Sequence, residues 1–357
     1  MFIGACGFGS TGSSVVTDYL NEFDGVTVKD DLEFTWVSKA DGMIDLERAV
    51  MDPHNRTGDS ILAIRRFEAM AKGQERIYEM HGLPRDEFRR LIRQFVDAIT
   101  TVKWYWYDNS VKPSYTPKYL AYYVMKRKII PRMEKKAGRY VSCWPLQEVR
   151  FSARPENFYE EAQKLTDGIL RGMGLNTDGI IAMDQPFSGN NPQACFPFYR
   201  DPYAVVVDRD PRDNYVFART RMLGRFHYMP INTAEDFIAY YRGLRKDQPY
   251  LKDDPRILRI RFEDMVYEYD RTTELLRDFL HLPENPRPKS VFDPELSIAN
   301  TQVFKRYPQF AEDIRKIESE LPEYLFDFSR YPEPDSAKKM FYGKSPKHKS
   351  FKKSFSE

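Results

Sequence analysis

Glycine and hydroxyl residues crowd one short stretch of the chain, and charged residues crowd another. Gly4-Ala5-Cys6-Gly7-Phe8-Gly9-Ser10-Thr11-Gly12-Ser13-Ser14 joins an apolar run to an amphipathic one. Glycines let the backbone turn tightly and bring N–H groups close to an anion, and a following helix adds free N–H groups and the positive end of its dipole. Such a turn is a phosphate cradle, in which the hydroxyls of Ser10, Thr11, Ser13 and Ser14 add donors without adding charge. The second stretch, Ala204-Val205-Val206-Val207-Asp208-Arg209-Asp210-Pro211-Arg212-Asp213, is an apolar strand ending in alternating charges where Pro211 starts a helix. A guanidinium at such a strand end can grip phosphate in two-pronged fashion.

The spacing of the first stretch leaves three readings open. Gly7-xxxx-Gly12-Ser13-Ser14 nearly matches a nucleotide P-loop, but Ser13 stands where the lysine that reaches the terminal phosphates belongs. On that reading the chain is a nucleotide kinase in which Ser14 and Asp208 or Asp184 organise Mg²⁺. Gly7, Gly9 and Gly12 half fit the dinucleotide pattern G-x-G-x-x-G, for which residues 24–31 offer only a loosely placed ribose acid. A glycine turn without a ligand is the third reading.

The elements that must position these residues read as α/β. Strand-like runs at 2–6, 26–29, 179–184, 203–208 and 257–262 are bounded by turn residues, and several are continuous apolar stretches suited to a parallel sheet covered on both faces. Helical patterns follow most of them: 13–23 places Val16, Leu20 and Phe23 on one stripe, and 267–280 does the same with Leu275, Leu276 and Phe279. Between about Asp41 and Leu175 the pattern changes to helix after helix, at 61–80, 85–100 and 119–136, the last with Thr116 as cap and Pro117 in the first turn. The expectation is a single α/β domain over 1–334 with a large helical insertion at about 41–175. The Lys- and Ser-rich segment 335–357 is expected to be a flexible basic tail.

Composition narrows the function classes. Lys plus Arg number 55 against 53 Asp plus Glu, a net charge of +2, so no global field advertises nucleic acid or anionic lipid and any anion site must be local. Cys6, Cys143 and Cys195 are widely spaced and odd in number, which argues against a disulfide framework and points to a reducing, cytoplasmic location. The chain opens on an apolar strand without the pattern of a signal peptide, and its longest apolar runs fall far short of the ~20 residues of a membrane span. No His/Cys/carboxylate spacing marks a metal site.

Together the two anion stretches resemble the PAPS-dependent sulfotransferase family. Members bind 3′-phosphoadenosine 5′-phosphosulfate with a strand-loop-helix for the 5′ end and an Arg-x-Pro-Arg/Lys-Asp strand end for the 3′-phosphate; Arg209-Asp210-Pro211-Arg212-Asp213 matches the latter. A third element, Ile257-Leu258-Arg259-Ile260-Arg261-Phe262-Glu263-Asp264-Met265 with Phe279-Leu280-His281-Leu282, looks like the family's late strand, Glu-Asp turn and Phe-Leu-Gly-Leu helix. The resemblance implies a P-loop-like three-layer fold with a central parallel sheet. It implies a sulfotransferase that moves a sulfuryl group from PAPS to a hydroxyl of a carbohydrate or small molecule, with no metal required. Gly9, Ser10, Thr11, Gly12, Ser13 and Ser14 would wrap the 5′ end, Arg209 would hold the 3′-phosphate, and Lys305 and Arg306 would add contacts. Glu263-Asp264 would fix a turn.

Two positions depart from the family pattern. Ser10 stands where a loop Lys or Arg stabilises the bridging oxygen, which makes Ser10 a catalytic candidate, and Phe217 stands where a serine binds the 3′-phosphate. Either the pocket has drifted or other residues substitute; the candidates are Thr220, one turn beyond Phe217, and the insertion's Arg65 and Arg66. The family's base is a His or Glu ending the strand before the 3′-phosphate strand; here Ile180-Ile181-Ala182-Met183-Asp184 places Asp184 there. An ordinary Asp has a pKa of about 3.9, so Asp184 needs burial to serve as a base. For the acceptor, Trp104-Tyr105-Trp106-Tyr107, Tyr115, Tyr119, Tyr122 and Tyr123 offer flat faces that stack on sugars, beside Lys126, Arg127 and Lys128. A non-catalytic nucleotide-binding protein of the same fold is the remaining alternative.

Overall fold

The computed structural model describes residues 1–55, 58–106, 121, 124–138, 147–221, 229–246, 254–335 and 340. In chain order the elements begin with β1 (Phe2–Gly7), α1 (Ser14–Leu20), β2 (Val26–Glu33), α2 (Met43–Met51), α3 (Gly58–Met80), α4 (Arg85–Ile99), β3 (Val102–Trp106), α5 (Ile130–Ala137) and β4 (Gln147–Phe151). They continue with α6 (Phe158–Gly172), β5 (Ile180–Asp184), β6 (Pro202–Asp208), α7 (Pro211–Arg221), α8 (Ala234–Arg245), β7 (Ile257–Arg261), α9 (Phe262–Tyr267), α10 (Tyr269–Leu280) and α11 (Ala311–Glu320). The chain divides into two compact units, Met1–Ser38 with Leu170–Glu357, and Lys39–Ile169. No helix among the described residues is long and apolar enough to cross a membrane.

The first unit is built on a five-stranded sheet in the order β2-β5-β1-β6-β7, every neighbouring pair parallel. Parallel neighbours need crossovers, and the inner strands β5, β1 and β6 are mostly buried and read as apolar runs, whereas the edge strands β2 and β7 are largely part-exposed. On one face Ile3, Ala5, Val205, Val207 and Ile260 pack with Val16, Leu20, Met265, Leu276 and Leu280 from α1, α9 and α10. On the other, Phe2 stacks on Tyr199 with centroids 4.4 Å apart, and a Cβ at Gly4 would lie 2.5 Å from the Phe187 ring. A second cluster joins α7, α8 and α11 through Tyr215, Phe237, Tyr241 and Ile317. This is an α/β fold with a central parallel sheet flanked by helices.

Four local differences from the sequence pattern have physical reasons. Helix α1 stops at Leu20: the N–H groups of Glu22 and Phe23 reach back only three residues, to Tyr19 and Leu20, and this tighter turn carries Phe23 into the core. Strand β2 runs to Glu33 because its pairing with β5 resumes at Glu33↔Asp184 after an irregularity beyond Lys29. A helix already begins at Phe262, directly after β7, where the Asp264 carboxylate accepts from the Arg261 N–H; Glu268, at φ −118 and ψ 42, then separates α9 from α10. Trp104, Tyr105 and Trp106 lie in a strand within the insertion expected to be helical. β3 pairs with β4 in an antiparallel ladder from Val102↔Phe151 to Trp106↔Gln147, as suits alternating aromatic residues.

The second unit, described by itself, packs α2 to α4 around Phe67, Phe88, Phe95 and Phe158, with Phe67 and Phe95 ring centroids 5.5 Å apart. Of the segment expected at 119–136, a π-helical turn, Met125–Ile129, leads into α5. Thr116, Pro117, Tyr107, Tyr115, Tyr119, Tyr122, Tyr123 and Cys143 lie outside the described residues, as do 341–357 of the expected tail. Met340 is buried in the cluster of α7, α8 and α11.

Candidate functional site

Three strands end together beside the glycine-rich loop. β1 lies between β5 and β6, with Ala5 opposite Asp184 and Gly7 opposite Val207, so the loop leaves β1 flanked by Asp184 on one side and Asp208-Arg209 on the other. Carboxyl ends of parallel strands around a central strand are where open α/β sheets collect ligands.

The loop is held in a conformation only its own sequence allows. Gly9 and Gly12 have φ of 88° and 85°, and Ser10 is left-handed at 53°. A Cβ at Gly12 would come within 2.7 Å of the Phe262 ring, and one at Gly189, in the segment after β5, would meet the Gly7 carbonyl oxygen at 2.5 Å. Thr11 Oγ1 accepts from the Phe8 N–H (3.2 Å), and Asn214 Nδ2 donates to the Gly9 carbonyl (3.0 Å). Among the described residues the N–H groups of Gly9, Thr11, Gly12 and Ser13 donate to no protein acceptor. Unsatisfied donors in a strained glycine turn are what an anion would satisfy.

Arg209 lies beneath this loop, 3% exposed. Its guanidinium carbon lies over both the Phe217 and the Phe262 ring, 4.9 Å from each centroid. Nη1 donates to the Ser10 carbonyl (3.4 Å), Nη2 donates to the Asn300 carbonyl, and Nε has no partner among the described residues. The fork's hydrogen bonds go to the Ser10 and Asn300 carbonyl oxygens. A phosphate oxygen entering this site would replace the Ser10 or Asn300 carbonyl or take the orphan Nε–H. Phe217 thus gives the arginine a ring to lie over.

Carboxyl groups surround Arg209 in depth. Glu263 Oε1 accepts from the Asp210 N–H (3.0 Å), and Asp213 Oδ1 accepts from the Phe304 N–H (3.1 Å). Burial pushes the Asp213 carboxyl up to about 7 and Glu263 up to about 8, with Arg209 pulling both down. Asp210 is bound by Arg212 through Nε (2.9 Å) and Nη2 (2.7 Å), so the motif's second arginine braces the motif itself. Asp208 is taken by Arg245, whose Nε and Nη2 reach Oδ2 and Oδ1 at 2.8 and 2.5 Å. The Arg245 guanidinium lies 3.4 Å from the Tyr241 centroid and 4.0 Å from that of Phe8, inside the loop.

On the opposite side, Asp184 ends β5. Burial, with Glu33 and Asp30 adding negative charge, raises its carboxyl from 3.8 to about 7, against hydrogen bonds from Ser13 and the Gln185 backbone. A carboxyl in that range can accept a proton near neutral pH. Ser13 Oγ donates to Asp184 Oδ1 (3.4 Å) and accepts from Gln185 Nε2 (2.7 Å), while Gln185 Oε1 accepts from the Gly7 N–H (3.2 Å).

The structure therefore brings Gly9, Ser10, Thr11, Gly12, Ser13, Ser14, Asp184 and Arg209 around one set of strand ends. Thr220 Oγ1 donates back to the Val216 carbonyl (2.8 Å), one turn earlier in its own helix. Lys305 pairs with Glu333 (2.8 Å) at an exposed position, and Arg306 donates to the Ala299 carbonyl (2.8 Å). Arg66 pairs with Asp41 (3.0 Å) within the second unit. Among the described residues no group of three or more His, Cys, Asp or Glu is arranged to hold a metal ion.

Gln185, Asn214, Asn300 and Arg245 escaped the sequence reading. Each reaches the site across the fold; only Gln185 and Asn214 had a signal, standing beside residues already singled out.

No family model matches the chain, and no curated protein matches it. Among solved structures the chain is similar to a sulfotransferase domain from the curacin biosynthetic pathway, at 12% identity over 91% of this chain and 98% of that one, with a TM-score of 0.37. It is also similar to a sulfotransferase from Alicyclobacillus acidocaldarius, at 13% identity over 89% of this chain and 94% of that one, with a TM-score of 0.35. A Mycobacterium avium sulfotransferase aligns at 12% identity over 91% of this chain and 76% of that one, with a TM-score of 0.35.

Proposed function

We propose that the chain is a sulfotransferase that moves a sulfuryl group from PAPS to a hydroxyl of a carbohydrate or small-molecule acceptor. The observation that carries this reading is the pairing of a buried arginine, lying over the Phe217 and Phe262 rings, with an amide-rich glycine loop on the neighbouring strand. Two anion-binding devices side by side suit a ligand with phosphate at both ends. The Nε–H of Arg209 and the N–H groups of Gly9, Thr11, Gly12 and Ser13, which have no acceptor among the described residues, fit such a ligand.

In this reading Arg209 holds the 3′-phosphate and the segment from Gly9 to Ser14 receives the 5′-phosphosulfate, with Ser10 in the place of a loop cation. Thr220, Lys305 and Arg306 are the outer contacts proposed from sequence; the first is presently engaged with its own helix and the second with Glu333. The acceptor oxygen attacks sulfur as its proton passes to Asp184. The bond from sulfur to the bridging oxygen breaks with its electron pair on the phosphate, leaving a sulfate ester and PAP. Loop donors fixed before the reaction stabilise that developing charge without reorganising. The kinase alternative loses one of its Mg²⁺ candidates, because both oxygens of Asp208 accept from Arg245.

Melting the protein with PAP, PAPS or Mg-ATP tests the reading. PAP without magnesium should stabilise it by about 2.7 kcal/mol at a hundredfold excess over Kd, and labelled sulfate should pass from PAPS to a member of a glycan and small-hydroxyl panel. Stabilisation by Mg-ATP alone overturns the proposal; tight PAP binding with no transfer to any acceptor favours a nucleotide sensor.

A further inference from the structure

The direction of the hydrogen bonds between the loop and Asp184 is fixed by chemistry. The Gly7 N–H can only donate, so the Gln185 atom facing it is the amide oxygen, Oε1 (3.2 Å). The NH₂ end therefore faces Ser13 Oγ at 2.7 Å, and Ser13 must accept there. Its single hydrogen is left for Asp184 Oδ1, 3.4 Å away. Gly7, Gln185, Ser13 and Asp184 thus form a chain of donors running one way, ending on a carboxylate. Gln185 is itself pinned: its backbone N–H donates to the Ala5 carbonyl (2.8 Å), and its φ of 51° turns the side chain back over β1.

While Asp184 is ionised, Ser13 has no hydrogen to offer a ligand. Once Asp184 is protonated, its own O–H can donate to Ser13 Oγ, and the Ser13 hydrogen is released toward the loop. We propose that Ser13 is a switched donor, held on Asp184 by the positioning residue Gln185 and turned to the ligand's phosphate oxygen when Asp184 takes up a proton. The inference rests on the sulfotransferase reading and deepens it. The proton leaving the acceptor hydroxyl arrives at Asp184 as the bond from sulfur to the phosphate oxygen breaks, so a donor is freed as that oxygen gains charge. A neutral hydroxyl then performs part of the task for which the loop has no lysine.

The groups facing Asp184 are Glu33 and Asp30 on β2, Cys6 on β1, and Ser13 and Gln185. Burial and the two β2 carboxyls favour the protonated form, and the Ser13 hydrogen bond opposes it.

Calorimetric binding of PAP between pH 6 and pH 8 in the intact protein reads the switch. A carboxyl titrating near 7 with binding confined to its protonated form gives up to about a tenfold loss of affinity across that range. Changes in PAP's own ionisation are common to all variants and cancel on comparison. Asp184→Asn and Ser13→Ala should lack the Asp184 contribution, Ser13→Thr should keep it, and Gln185→Met should reduce it while still binding at pH 6. A full wild-type pH dependence in Ser13→Ala overturns the switch, since the carboxylate would then act on the ligand directly. Carbon-13 titration of Asp184 in the ligand-free protein separates the two levels of the argument. Its midpoint must rise in Ser13→Ala, and an unchanged midpoint overturns the hydrogen-bond chain whether or not PAP binds. Absence of PAP binding at every pH overturns the sulfotransferase reading and the release step with it, leaving that titration to decide the chain alone.

Discussion

Replacing Asp184 by Asn should stabilise the protein, and more strongly in alkaline than in acid solution. The carboxyl titrates at 3.8 in an unfolded chain and is raised to about 7 here, chiefly by burial. Between those values the folded protein holds a proton that the unfolded chain has released, so stability falls as pH rises through this window and levels off above about 7. Each tenfold in proton affinity is about 1.4 kcal/mol, which makes the cost of Asp184 about 4 kcal/mol at pH 8 and about 1.5 kcal/mol at pH 5. Asn has the same shape, carries no charge, and its Oδ1 still accepts from Ser13. Urea unfolding of both proteins at the two pH values gives the comparison. The advantage of Asp184→Asn should be about 2.5 kcal/mol larger at pH 8, and Asp213 and Glu263, present in both proteins, cancel in the difference. An advantage that is equal at the two pH values would refute a raised carboxyl at the end of β5.

Three further perturbations probe the neighbouring parts. Gly12→Ala places a methyl 2.7 Å from the Phe262 ring at a φ of 85°, and should cost about 1–3 kcal/mol in urea unfolding. Asp208→Ala strands the buried Arg245 guanidinium and should cost about 3–5 kcal/mol; Asp208→Ala with Arg245→Met should recover much of it. Arg209→Lys keeps the charge but not the planar fork lying over the two rings, and should weaken PAP binding at least tenfold, lowering its stabilisation by about 1.4 kcal/mol or more, while the far-ultraviolet circular dichroism stays unchanged.

The sheet was legible because buried parallel strands announce themselves as short apolar runs closed by turn residues: 203–208 was expected and Pro202–Asp208 is found. β2 was legible only in its first half, Val26 to Lys29; Asp30 and Asp31 carry no apolar signal and fall in the irregularity before pairing with β5 resumes at Glu33. The hairpin of β3 and β4 brings together segments more than forty residues apart, a pairing that local pattern does not encode. Within the site, the glycine turn and Arg209 were visible because their residue types are unusual where they stand. The grip of Arg245 on Asp208, 37 residues away, and of Gln185 on the loop, 178 away, exist only once the strands are side by side. Phe217 was read as a departure from a pattern, and only the guanidinium lying over it shows what a ring achieves there.

The approach of Gly189 to the Gly7 carbonyl, where a single added carbon would sit 2.5 Å from the oxygen, welds two main chains along a seam with no side chain between them. Anyone redesigning the segment after β5 must keep that residue bare. Otherwise the graft will lever the glycine loop off its strand, and a change meant for one segment will be felt by the other.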